Sequence, residues 1–202
     1  MKSHFKVQIR GMFIKSLMSF LLVASGSILT IVSAQTAFKT TSAEVSVNGK
    51  SNIHDWDMKT EAGNANALMT MTNGELTGIK SLDFIMLVKS MKSGQSIMDT
   101  RAQKALKADA HPNITYKLTT ATVTSTAKGK YTIKTEGNLT ISGVTKPVSM
   151  TVNGVSNSDG SIQITGTRKM KMSEFKIPPP SYMLGAMKVY DDLTISFNLK
   201  LK

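Results

Sequence analysis

The alternation of apolar and polar residues between Gly137 and Val152 sets the pattern for the whole chain. Leu139 and Ile141 alternate with polar neighbours, and so do Val148, Met150 and Val152. Between the two runs lies Ser142-Gly143-Val144-Thr145-Lys146-Pro147. Period-two alternation on both sides of a Gly/Pro-containing segment predicts a β-hairpin in which each strand has one apolar face to bury. Gly143 frees the backbone to reverse, and Pro147 must sit where its missing N–H is not needed. Nearer the N-terminus, Gln35–Thr41 reads as a polar lead-in. Ala43, Val45 and Val47 form a first strand, with Asn48-Gly49 as a turn. Ser51–Thr60 follows, with His54, Trp56 and Met58 on one face and Asp55 and Asp57 on the other. Glu61–Asn66 reads as a loop, Leu68–Thr72 as a strand, and Asn73-Gly74 as a tight hairpin turn. Leu76–Lys89 is apolar on both faces. Leu82, Phe84, Met86 and Val88 point one way, and Ile85 and Leu87 point to a second face that a helix is expected to cover.

Ser96–Ala108 is the one stretch with helical spacing, through Ile97, Met98, Ala102, Ala105 and Leu106. Asp99 lies in its first turn, where a carboxylate suits the helix dipole, and Pro112 forbids continuation. Alternation resumes at Ile114, Tyr116 and Leu118, then at Val123. After a turn at Ala127–Lys130 it continues through Tyr131 and Ile133, with Gly137 read as a bulge. Asn157–Gly160 is a turn. Ile162 and Ile164 open a strand that runs through Met170 and Met172. Pro178-Pro179-Pro180 is rigid and extended, and it opens a loop holding Tyr182, Met183, Leu184 and Met187. In the last strand Leu193, Ile195, Phe197, Leu199 and Leu201 are all expected to bury. Eight or nine strands with one helix, no repeat and no linker describe an antiparallel sandwich or barrel; periodicity alone does not choose between them. A membrane-spanning barrel would need aromatic girdles. The scarce aromatics and the Thr/Ser/Lys outer faces predict a water-facing molecule instead.

Composition adds a leader. Lys2, Lys6, Arg10 and Lys15 precede an apolar run at Leu17–Val32, which ends in Val32-Ser33-Ala34 before Gln35. This reads as a secretory signal peptide over 1–34, cleaved after Ala34, and places the mature chain in the periplasm or outside the cell. The run is too short and too diluted by Ser25, Gly26, Ser27 and Thr30 for a spanning helix. Met12 would give the leader a more ordinary length. Residues 35–202 form one domain. The whole chain has a net charge of +12; four basic residues and no acid lie in the leader, which leaves the domain at +8. That balance suits transient contact with anionic membrane surfaces. Nucleic acid is not a predicted partner, because no aromatics interleave with the scattered lysines. With no Cys, disulfides and thiol catalysis are excluded.

The domain has two histidines, His54 and His111, far apart and in no metal-ligand spacing, so no metal is predicted. No Gly-x-Ser-x-Gly elbow is present. Alternation sets Asp55 and Asp57 on the face opposite His54, which argues against a His–Asp relay, and no catalytic residue is predicted. The distinctive residue is methionine, with 11 of 14 in the domain. Met suits either a pocket adapting to a floppy apolar ligand or gap-filling in a core short of aromatics.

Three stretches carry a family likeness: GNLTISGVTKPVSMTV at 137–152, MDTRAQKALKADAHPNITYKL at 98–118, and KMKMSEFKI at 169–177. In this order and spacing they resemble the YceI-like family, over about residues 40–202. The resemblance implies an all-β fold, an extended eight-stranded antiparallel lipocalin-like barrel with one short helix. It also implies an apolar ligand: an isoprenoid-type lipid, a quinone or another long-chain lipid. Inward parity then offers Phe84, Met86, Val88, Tyr116, Leu139, Ile141, Met150, Ile164 and Phe197 as lining, with Trp56 over a head group. The family often has Asp-Phe where this chain has Glu174-Phe175. Alternatives are a ligand-free structural or stress-response barrel and a hydrolase using His54. Oligomeric state is not legible.

Overall fold

A computed structural model of the protein describes residues 33–202. The signal-peptide reading of 1–34 therefore lies outside the described residues, except for Ser33 and Ala34. These two begin β1 (Ser33–Ser51) and pair with Met71 and Thr72; a chain starting at Gln35 would keep the ladder from Gln35↔Thr70 onward.

The remaining elements are β2 (Asp55–Thr60), β3 (Asn64–Thr72), β4 (Glu75–Leu87), α1 (Ser96–Ala105), β5 (Asn113–Ala127), β6 (Lys130–Ile141), β7 (Val144–Ser156), β8 (Ile162–Lys171), β9 (Ser181–Tyr182) and β10 (Met187–Leu201). Antiparallel pairing runs β1-β3-β4-β5-β6-β7-β8-β10, and β10 returns to β1, so eight strands close a barrel. Closure removes the exposed edges that an open sheet would carry.

The polar lead-in at Gln35–Thr41 is strand, because β3 pairs with it from Ser33 to Lys39. Farther along, β2 pairs with Val45–Lys50 of the same edge. β2 and β3 thus act as one strand interrupted at residues 61–63. The Thr40 hydroxyl bridges the interruption, accepting from Ala65 N at 2.6 Å. Asn48-Gly49 is not a turn. A Cβ on Gly49 would lie 2.2 Å from the Trp56 ring, so this glycine gives the indole room, and the chain reverses at Ser51–His54. The Ser51 hydroxyl accepts from Ile53 N and His54 N there. By contrast, Asn73-Gly74 and Ser142-Gly143 are two-residue turns with positive φ at both positions, the geometry that suits twisted hairpins.

β4 is shaped by irregularity. Its ladder with β3 skips Thr77 and Lys80, so Leu76, Ile79 and Leu82 all point inward at a spacing of three. Each extra residue of a bulge shifts the alternation by one. Ile85 and Leu87 face solvent; α1 does not cover them. The bulge expected at Gly137 has its extra residue on the partner strand, at Thr119.

α1 ends at Ala105, short of the expected Ala108, and Ile97 on it is exposed. Asp99 turns back toward the preceding loop, accepting from Ser93 N at 2.8 Å and Ser93 Oγ at 2.7 Å. These bonds hold its carboxyl below the usual carboxylate range. At the far end of the barrel the core is tight. Met69, Ile133 and Leu201 are fully buried, and the Tyr131 hydroxyl donates to Glu75 and accepts from Leu76 N.

Candidate functional site: an apolar cavity under the helix

Above that tight end the opposing walls separate. A cavity of about 320 Å³ runs from the barrel interior to α1, within the range of pockets that take small apolar ligands. Its lining is overwhelmingly apolar. β10 shows the transition from core to cavity along one strand. Leu199 and Leu201 are buried, whereas Leu193, Ile195 and Phe197 are only half-buried because their inner faces meet the cavity. The expectation that all five bury therefore holds only at the closed end.

α1 lies across the open end. Met98 and Ala102 pack against Met58, Met86 and Met91, while Ala105 and Leu106 pack against the cluster of Ile141, Met170 and Phe175. A side gap is closed differently. β7 and β8 share only four pairs, Asn153–Ser156 with Thr165–Ile162. Beyond these the strands diverge, and the short helical turn Met172–Phe175 with Ile177 fills the space. Pro147, facing this free edge, forfeits no bond there.

Of the residues expected from parity, Trp56, Phe84, Met86, Tyr116, Leu139, Ile141, Met150, Ile164 and Phe197 line the cavity. Val88 does not. β4 ends at Leu87, and Val88 turns into a one-turn helix (Val88–Ser90) that buries it away from the cavity. Several lining residues escaped the sequence reading: Arg101, Met170, Met172, Phe175 and Arg168. Arg168 was legible, since it shares inward parity with Ile164 and Met170. Arg101 was too, lying four residues from both Ile97 and Ala105 on α1.

Polar groups are few, and they differ by position. At the helix end, Arg101 stacks on the Tyr182 ring at 4.1 Å, and Gln95 and His54 also line the cavity. Among the described residues the His54 ring bonds only to the Asp55 carbonyl oxygen, at 2.8 Å. Asp55 and Asp57 face outward to Lys50 and Lys59, so His54 has no acid partner among the described residues. No cluster there could hold a metal ion. Of the lining residues, Trp56 Nε1, the Tyr116 hydroxyl and Arg168 Nε are buried without a hydrogen-bond partner. Burial pushes the Tyr116 phenol up; the nearby Thr135 hydroxyl offsets part of the rise, although it donates to the Met150 carbonyl oxygen and makes no hydrogen bond to the phenol.

The arrangement matches known proteins in fold. The family model of the YceI-like domain matches residues 30–201. Among solved structures, BcnA of Burkholderia cenocepacia superposes with a TM-score of 0.61 at 18% identity, over 78% of this chain and 95% of that one. A polyisoprenoid-binding domain from Saccharophagus degradans, implicated in plant cell wall breakdown, gives 0.60 at 9% identity, over 82% and 97%. The YceI protein of Campylobacter jejuni gives 0.51 at 21% identity, over 68% and 82%. No curated protein matches.

Proposed function

Because the chain belongs to the YceI-like domain family, we propose that it is an exported binding protein that carries an isoprenoid-type or other long-chain lipid, or a quinone, in the barrel cavity. The observation that carries this reading is the cavity itself. Side chains that alternate inward on eight strands leave an apolar space between them instead of filling it. Burying a long tail there gains roughly 25 cal/mol per Å² of apolar surface. The polyisoprenoid named for the Saccharophagus domain is a ligand of that chemistry. Nothing in the reading requires a catalytic step, and His54 lacks the acid a hydrolase would use to orient it.

Organic extraction of protein recovered from the cell envelope or medium, with mass spectrometry of the extract, tests the reading. The same sample should begin at Gln35 on N-terminal sequencing. A long-chain lipid or quinone in stoichiometric amount is expected. An empty extract, with no lipid taken up on titration, would leave a ligand-free barrel as the better account.

The rim at the helix end suits loading from a membrane. Ile53, Ile97, Met183 and Leu184 are 58%, 67%, 71% and 110% exposed. The Ile53 turn is tied to Lys188 by its Asn52 N–H, and α1 is tied to Tyr182 through Arg101, so these loops share one end. On a domain with a net charge of +8, exposed apolar residues of this kind favour an anionic bilayer surface. Leu184→Asp is expected to lower co-sedimentation with phosphatidylglycerol vesicles several-fold while leaving lipid binding in solution intact. Unchanged co-sedimentation would remove the rim from the loading step.

A further inference from the structure

The cavity's charges have one sign and one residue type. Both arginines of the described domain, Arg101 and Arg168, line it, while no lysine, aspartate or glutamate does. Neither arginine has a carboxylate partner among the described residues. Arg101 lies at the rim with its guanidinium over an aromatic ring. Arg168 is the more demanding case, because it projects inward from β8 in the company of Ile164 and Met170. One of its nitrogens donates to the Ser149 carbonyl oxygen at 2.8 Å across the β7–β8 gap, and its Nε–H is buried and unpartnered. One carbonyl does not neutralise a guanidinium, and a partly desolvated charge without a counter-charge is costly.

The Tyr116 hydroxyl converges on the same stretch of wall. A Cβ on Gly137 would lie 2.5 Å from the Tyr116 oxygen, so the phenol rests directly on that glycine. Gly137 pairs with Val148, the residue before the Ser149 whose carbonyl holds Arg168. Thr135 pairs with Met150, and its hydroxyl donates to the Met150 carbonyl at 3.3 Å. The phenol, resting on Gly137 of β6, therefore lies beside the stretch of β7 that holds the guanidinium, and the Arg168 Nε–H and the Tyr116 hydroxyl both lack an acceptor. Such orphaned groups in a native structure call for a missing partner.

We propose that Arg168 and Tyr116 receive the oxyanion of an amphiphile's head group, a phosphate or carboxylate, at mid-depth in the cavity. The inference rests on the carrier reading above and narrows its ligand to an acidic lipid; a neutral quinone would leave Arg168 without a counter-charge. Guanidinium binds such oxyanions through charge-assisted bonds stronger than neutral ones, and an ionised head group needs no proton from the phenol beyond its hydrogen bond.

Affinities for farnesyl monophosphate, farnesol, a short-chain ubiquinone and inorganic phosphate decide the matter. The wild type should bind farnesyl monophosphate at least about tenfold more tightly than farnesol or the quinone, with inorganic phosphate weak because it lacks the tail. Arg168→Met should bring the phosphate-to-alcohol ratio near unity, and Tyr116→Phe should reduce the ratio a few-fold. A second reading needs no variant: the Arg168 Nε–H resonance should shift on adding farnesyl monophosphate and stay in place with farnesol. Equal binding of the phosphate and the alcohol overturns the inference while leaving the carrier reading intact. So does a ratio that survives Arg168→Met, or inorganic phosphate binding as tightly as the lipid phosphate. Failure of every tailed probe to bind overturns both.

Discussion

Phe175→Ala is expected to destabilise the barrel by about 3–5 kcal/mol, the range for truncating a fully buried phenylalanine. Phe175 is 1% exposed and sits where β7 and β8 part, against Ile141, Met170 and Ile177. The strands cannot close over the vacated space by pairing, because their ladder ends at Asn153 and Thr165. The cavity term is therefore expected in full. Phe197→Ala provides the internal comparison. Its ring lies over Gly166, where a Cβ would come within 2.5 Å; both rings line the cavity, but Phe197 is only half-buried where Phe175 is fully buried. It should cost about half as much, since fewer packed contacts are lost. Urea melts of both variants, with an unchanged slope, measure the difference. A loss below about 1 kcal/mol at Phe175 would mean the gap is closed by something other than this turn.

Met150→Trp is expected to cut the affinity for long isoprenoid chains more than tenfold, the affinity for short ones much less, and the melting temperature hardly at all. Met150 lines the cavity from β7, opposite Thr135 on β6. An added indole would occupy depth that only a long tail uses. A packed core would instead lose roughly 1–3 kcal/mol to overpacking. Calorimetric titration with a chain-length series and thermal melts on the same variant separate these outcomes. A large drop in melting temperature without a change in chain-length preference would show that the space at Met150 is not available to a ligand.

What could be read before folding follows from local rules. Period-two alternation assigned the inward faces of β5, β6, β7, β8 and β10, because side chains of a strand alternate whatever lies across from them. Asn73-Gly74 and Gly143 marked hairpins because positive φ in a tight turn is itself a local requirement, although the turn at Ser142-Gly143 is shorter than the Ser142–Pro147 segment the alternation left between the strands. The methionine count and the inward Phe84, Tyr116 and Phe197 were visible in the same way.

The tertiary structure decided what depends on a partner. Gln35–Lys39 became strand because β3 offered it a ladder, despite a polar sequence. Asn48-Gly49 stayed extended because Trp56 from the neighbouring strand needed a residue without a Cβ. Val88 left the lining because β4 stopped one residue earlier, and two bulges gave Leu76, Ile79 and Leu82 a spacing that resembles a helix. Alternation states which side of a strand is apolar. It does not state how far apart the opposing walls stand. That distance follows from strand number, tilt and closure, and it makes the inner faces of β10 a packed core at Leu201 and a cavity wall at Leu193.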